Sequence, residues 1–414
     1  MTGRVRANGE GSIYPYRTGY AAYAWVTKPN GNRARKYVYG KTEDEVRDKI
    51  GNVREAAERG PVATSSMTVR AYALNWLEDL IRPNLAPATY AKYETFVRRY
   101  IIPGIGSKRV DRLTVRDVQT WLNKVRTTCQ CCAQGKDAAR GEAARCCAVK
   151  PRRCCKDLPA PSSVRAIREC VRSMLSAALT DELVTRNVAA LVKLPHGRAR
   201  QTQAWTSEQA RLFLDSARRD HDPLLALYVL VLVLGLRKGE VLGLCWSDVN
   251  TDSGEVHLTR QLQRVGGELL HRDLKTDSSS ARLPLPDIVV AALKQRRQDQ
   301  SADQDTAGEL WHTTDLVFTT RYGTPIEPRN VNRSFTRRCG LATVPTITVH
   351  DARRTCATLL VDLGVHPRVV MQILRHSKIA MTMEIYSKVT SDQTRDALRQ
   401  LGDALGWADD DQGE

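Results

Sequence analysis

The stretch PLLALYVLVLVLGLRKGEVLGL, residues 223–244, decides how the rest of the chain is read. From Leu224 to Leu236 it is almost continuously apolar. That is too short to cross a bilayer, which takes about 20 apolar residues of helix. A helix that is apolar all round belongs inside the core of a sizeable domain. Arg237 follows the run directly, so the helix is expected to deliver a guanidinium to its exposed end. A planar guanidinium there can grip two phosphate oxygens at once. Alone this is weak, because a cation at a helix end is more often simply solvated.

Downstream, EVHLTRQLQRV and GELLHRDLKTDSSSARLPLP alternate like strands joined by a hairpin, with Lys275 beside a Thr-Asp-Ser turn. In HDARRT, His350 and Arg353 stand three apart and share one helix face, so both can reach a single anion. In LRHSKIAMTMEIYSKV, His376 precedes Tyr386 by ten residues. Each has a bland reading of its own: a solvated lysine, a chance His–Arg spacing, a core tyrosine.

Charge narrows the choice. The 414 residues carry 63 Lys and Arg against 46 Asp and Glu, a formal +17. Such an excess fits a polyanionic partner, and with no spanning segment that partner is nucleic acid rather than membrane. The first residues, MTGRVRANGEGS, form no apolar signal segment, so the chain is expected in the cytoplasm with its cysteines reduced.

Taken in order, GLRKGE, LKTD, HDAR, LRH and IYS resemble the signature of the tyrosine recombinases, the phage integrase family. The resemblance is clearest from about Trp205 to Val389. It implies that Arg237 and Arg353 clamp a scissile phosphate, that His376 hydrogen-bonds a nonbridging oxygen, that Lys275 protonates the leaving 5′ oxygen, that His350 assists proton transfer and that Tyr386 is the nucleophile. Glu240 matches an acidic residue that orients the first arginine. Arg375 stands where the family commonly has glycine, and Arg354 where a second histidine is frequent. Arg375 is read either as an added phosphate contact or as an exposed side chain. No cofactor is required, since cations can stabilise a phenolate whose reference pKa is about 10.

The expected fold is multidomain and mainly α with small β-sheets. Residues 1–60 alternate as three strands (SIYPYR, AAYAWVTK, RARKYVYG), followed by a helix from Thr42 stopped at Gly60 and Pro61. This α+β unit resembles an arm-type DNA-binding domain, with Tyr14, Tyr16, Tyr23 and Trp25 beside Arg33, Arg35 and Lys36; some of the aromatics are expected to form its small core. Residues 66–196 read as an all-α core-binding domain in which Lys92, Arg98, Arg99 and Lys108 are candidate backbone contacts. Residues 203–400 form the mixed α/β catalytic domain, and 401–414 an acidic tail.

Seven of the 11 cysteines crowd into an insertion at 129–155. Cys129, Cys132, Cys146, Cys147, Cys154 and Cys155 include enough thiolates for one structural zinc, although the spacing matches no familiar finger. A mobile basic loop is the equal alternative.

The resemblance implies integration and excision of a phage or integrative plasmid through a 3′-phosphotyrosyl intermediate. It further implies a homotetramer on double-stranded attachment sites, aided by an excision factor and a host DNA-bending protein. A chromosome-dimer resolving recombinase and a type IB topoisomerase-like enzyme share the chemistry. A decayed, purely DNA-binding relative would be expected to have lost some of these residues.

Overall fold

The computed structural model describes residues 13–27, 31–60, 67–146, 154–195, 203–274, 281–376 and 378–386. The chain falls into two compact units, residues 1–198 and 199–414. It is mainly helical with small antiparallel sheets, as the patterning predicts.

At the amino-terminal end, strands β1 (Tyr14–Tyr16), β2 (Gly19–Thr27) and β3 (Arg33–Gly40) form an antiparallel sheet. Thr42 caps the following helix, Glu43–Arg59, by accepting from the Glu45 N–H, and three acidic residues in the first turn suit the positive helix end. One sheet face packs Ala22 and Ala24 on Val46 and Ile50 of that helix. The strand period of two then sends Tyr23, Trp25, Arg33, Arg35, Tyr37 and Tyr39 to the opposite face.

In the helical region of the same unit, residues 69–84 and 87–105 are long helices, each widened by a π-turn, at Trp76–Ile81 and Val97–Ile101. Pro103 has no N–H to return to the preceding turn, and the second wide turn directly precedes it. A Cβ at Gly104 would lie 2.0 Å from Trp121 Nε1, so only glycine lets this helix approach Val115–Thr127. The long helix Pro161–Thr180 completes the core around Ile101, Leu122, Ile167 and Met174. Between the last two helices lies the cysteine-rich insertion, with short helical turns at Gln130–Ala133 and Glu142–Ala144.

In the second unit, Trp205 opens the chain into an aromatic cluster with Phe213, Tyr228 and Phe335. Its ring N–H donates to the Pro345 carbonyl at 2.8 Å, and its backbone N–H to Thr355 Oγ1 at 3.0 Å. The apolar run forms the helix Leu225–Val233, buried from Ala226 to Leu232. The unit also holds a three-stranded sheet of β4 (Val249–Asn250), β5 (Glu255–Leu258) and β8 (Ala281–Pro284), and a separate hairpin of β6 (Arg260–Val265) and β7 (Glu268–Asp273). The hairpin turns through Gly266 and Gly267, both at positive φ, as a tight two-residue loop requires. Among the described residues no helix is long and apolar enough to cross a membrane.

Candidate active site

The sequence suggested a single helix ending in Arg237; the structure corrects this. The helix stops at Val233, and Gly235 turns the chain at φ +59. A Cβ there would sit 2.5 Å from Leu374 Cδ2, so the turn needs glycine for space as well as for its backbone angle. Arg237 becomes the N-cap of the next short helix, Lys238–Leu242. Its backbone N–H donates to Glu240 Oε2 at 2.8 Å and its guanidinium to Glu240 Oε1 at 2.6 Å.

Thr348 caps the helix Val349–Asp362 through a reciprocal pair with Asp351, and this fixes His350 and Arg353 in its first turns. Arg353 is buried and donates to the carbonyls of Gly235 and Leu374. Arg237 donates to the next carbonyl, that of Arg375, at 3.3 Å. Two guanidiniums are thus tied to successive carbonyls of one turn, and His376 is the following residue. Arg237, Lys238, His350 and Arg353 line a common cavity of about 440 Å³.

Neither expectation for Arg375 holds. It is neither exposed nor turned toward a ligand: its side chain is 1% exposed, as is that of Glu240, and its Nη2 pairs with Glu240 Oε2 at 2.7 Å. Its backbone is left-handed, φ +51, at the end of the helix Pro367–Leu374. That conformation accounts for glycine being the common residue at this position in the family it resembles. Glu240 therefore serves two arginines.

The electrostatics follow from three guanidiniums gathered near one carboxylate, two of them paired with it. Burial would raise the Glu240 carboxyl, but Arg375 and Arg237 outweigh it and hold it below the usual range. Burial, with Arg237 close by, pushes Arg353 down to about 9. Burial and then Arg353 and Arg237 push His376 down to about 4, so its imidazole is neutral near pH 7. His376 Nδ1 lies 3.0 Å from Thr382 Oγ1; when that hydroxyl donates, Nε2 carries the proton. His350 is also lowered, by burial and by Arg353.

Tyr386 is the last residue of the helix Ile379–Tyr386, of which only the backbone is described at that position. Lys275 lies outside the described residues, just beyond β7 and Leu274.

Among the candidate DNA contacts, Arg35 stacks over Tyr23 at 4.7 Å and Trp25 at 4.9 Å, and Arg33 lies 6.0 Å from Trp25, all on the open sheet face. Tyr14 and Tyr16 share that side by register, opposite Ala21 and Gly19. All four aromatics named from the sequence, Tyr14, Tyr16, Tyr23 and Trp25, therefore face away from the helix-covered core, which corrects the expectation that some of them build it. Lys36 lies on the helix side, half-buried, and burial lowers its pKa. In the helical region Lys92, Arg98, Arg99 and Lys108 are exposed; Arg98 pairs with Glu94 and Lys108 with Asp117. Arg99 and Lys108 line a cavity of about 470 Å³ with Arg116 and Lys124, two cations that sequence reading passed over because nothing local distinguishes them.

In the insertion, Cys129, Cys132 and Cys154 gather in one group, and Cys131, Cys146 and Cys155 in another. Cys131 was missing from the sequence-based set; Cys147 lies outside the described residues. These sulfur groups can hold a metal ion.

Residues 203–393 match the phage integrase family, and residues 68–126 the SAM-like N-terminal domain of phage integrases. Among curated relatives, a XerC-like tyrosine recombinase of Caldanaerobacter subterraneus subsp. tengcongensis is 25% identical, over 90% of this chain and 93% of the relative. An integrase of Saccharopolyspora erythraea is 23% identical, over 93% of this chain and 95% of its own length. The integrase of the Tn1549 transposon, solved in complex with a circular intermediate DNA, has a similar fold with a TM-score of 0.62 and 19% identity, covering 81% of this chain and 100% of that one. A lambda integrase dimer bound to a core site gives 0.54 at 14% identity, covering 77% of this chain and 95% of that one.

Proposed function

The chain belongs to the phage integrase family of tyrosine recombinases, enzymes that break and rejoin DNA, and from that premise we propose how this chain's own residues carry the reaction. The substrate is a phosphodiester of a double-stranded attachment site. The observation that carries the reading is the meeting of Arg237, His350 and Arg353 at one cavity, with both guanidiniums tied to the turn that presents His376.

Arg237 and Arg353 bind the nonbridging oxygens, and the neutral His376 donates its ring N–H to one of them. Tyr386 attacks phosphorus, forming a 3′-phosphotyrosine as the bond to the 5′ oxygen breaks. Lys275 gives that oxygen its proton, and His350 assists transfer of the phenolic proton. The bond energy stays in the phosphotyrosine, so a partner strand's 5′ hydroxyl can reverse the step without ATP. Glu240 and Arg375 position the clamp and touch no substrate.

The arm-type reading of residues 1–60 rests on their open aromatic and arginine face, and the core-binding reading of the helical region on its exposed cations. We assign the reaction to integration and excision of a mobile element by a homotetramer on two duplexes, with an excision factor and a host DNA-bending protein setting direction. No cofactor takes part in cleavage, and the cysteine insertion holds structural zinc. A resolving recombinase is the second reading, favoured by the XerC-like relative.

The decisive experiment is Tyr386→Phe on a nicked suicide substrate. The variant is expected to bind DNA as before and to form no covalent adduct on denaturing electrophoresis. A persisting adduct would place the nucleophile elsewhere.

A further inference from the structure

The cysteine insertion has almost no core to fold around. Among its described residues the apolar cluster consists of Cys129 and Cys131 with Cys146 packed against them, and the other buried groups are polar, Gln130 and Asp137. A segment of this size without apolar burial needs a staple, and bound metal is one of the few available.

Sulfur spacing identifies the staple. Cys129 and Cys155 lie 3.7 Å apart, Cys131 and Cys146 3.8 Å, and Cys132 and Cys154 3.9 Å. These are nearly twice the covalent S–S length of about 2.05 Å. Four sulfurs set tetrahedrally about 2.3 Å from zinc stand about 3.8 Å from one another, which is the spacing found here.

The grouping then gives a count. Cys129, Cys132 and Cys154 form one set of three, and Cys131, Cys146 and Cys155 the other. Each set lacks one ligand of a tetrahedron. The Cys129–Cys155 contact joins them, and sharing those two sulfurs would give each ion a fourth ligand: Cys129, Cys132, Cys154 and Cys155 around one, and Cys129, Cys131, Cys146 and Cys155 around the other. We propose that the insertion binds two zinc ions in one six-thiolate cluster bridged by Cys129 and Cys155. This deepens the structural-zinc reading given above and rests on it.

The surroundings suit thiolates. The Cys132 backbone N–H hydrogen-bonds the Cys129 sulfur. The Lys156 N–H donates to Cys154 Sγ at 3.4 Å from a left-handed backbone, φ +51, directly after Cys155. Arg140 donates to Cys146 Sγ at 3.3 Å. Six thiolates around two divalent ions carry net negative charge, and Arg140 offsets part of it. Buried Asp137 accepts from the Cys146 N–H at 2.8 Å and holds that ligand's backbone in place.

The test is metal analysis of the full chain, purified without chelator from zinc-supplemented cells, with ¹¹³Cd NMR of the cadmium-exchanged protein. About two zinc per chain and two cadmium signals coupled to each other through shared sulfur are expected. One zinc per chain would overturn the bridged cluster while leaving a structural zinc, and none would overturn both readings. Two uncoupled cadmium signals would also overturn the bridge. Cys147→Ser should retain both ions, whereas Cys155→Ser should lose more than one. Metal loss from Cys147→Ser would refute the ligand assignment. Strand cleavage enters none of these readouts, so they are independent of the nucleophile test.

Discussion

Replacing Arg375 by glycine sets two opposed effects against each other at one backbone position. Glycine removes the penalty of a left-handed arginine, about 1–2 kcal/mol, and removes a buried Nε that finds no acceptor, roughly another 1 kcal/mol. Against this, Glu240 loses one of its two guanidinium partners in a site where both members are 1% exposed. Breaking a buried pair by deleting one member costs about 3–5 kcal/mol. The pair wins, and Arg375→Gly is expected to destabilise the catalytic unit by about 1–2 kcal/mol, although glycine is the common residue of the family here. In a Glu240→Gln background the sign should reverse. Arg375 is then a buried cation without its carboxylate, and glycine should restore stability. Urea unfolding of the four proteins of this double-mutant cycle reads the coupling directly. Arg375→Gly as stable as the parent, or a cost equal in both backgrounds, would show that the pair does not hold the site.

Lys275→Ala should abolish cleavage of an ordinary strand but cleave a 5′-bridging phosphorothiolate, whose leaving group needs no proton; failure of rescue with intact binding would remove Lys275 as the acid. His376, held down to about 4, should stay neutral through pH 5–8. Its folded pKa lies below the unfolded value, so its contribution to stability is present above about 6.5 and is lost as pH falls toward 4. NMR titration giving an ordinary value in the full chain would refute this. Arg35→Ala with Trp25→Ala should leave cleavage of an isolated core site unchanged and weaken binding to a complete attachment site, with the salt slope reduced by about 1 per lost phosphate contact. Unchanged slope and binding would mean that the open sheet face does not meet DNA.

What the sequence yielded and what it hid divide along physical lines. Capping is local, so Thr42 could be placed beside the helix it starts. The apolar run could only be core. The left-handed turn at Arg375 and its pairing with Glu240, 135 residues away, have no local signature: arginine reads as surface on every scale. The break at Gly235 was hidden inside a run that looked like one helix, because the glycine's reason is Leu374, far along the chain. Cys131 was passed over since the Cys-x-x-Cys spacing drew attention to its neighbours, while only the folded chain sets it 3.8 Å from Cys146.

Under the proposed assignment, the charge arrangement of the site favours one state of the substrate. Arg237 and Arg375 pair with the carboxylate of Glu240 and Arg353 stands near them, which leaves two of these three positive charges over, and the depressed histidine adds none near pH 7. A phosphodiester brings one negative charge, whereas its pentacovalent transition state gathers more on the nonbridging oxygens. A site carrying more positive charge than the ground state can neutralise binds the transition state better, and only that difference accelerates the step. Rigidity makes the difference usable: each arginine of the proposed clamp already spends donors on the carbonyls of residues 374 and 375 and, for Arg237, on Glu240. The guanidiniums therefore need not reorganise as charge develops, which is the condition under which fixed donors are worth most. Glu240 orients Arg237 while Arg375 supplies part of its neutralisation, so the carboxylate can hold the clamp without cancelling it.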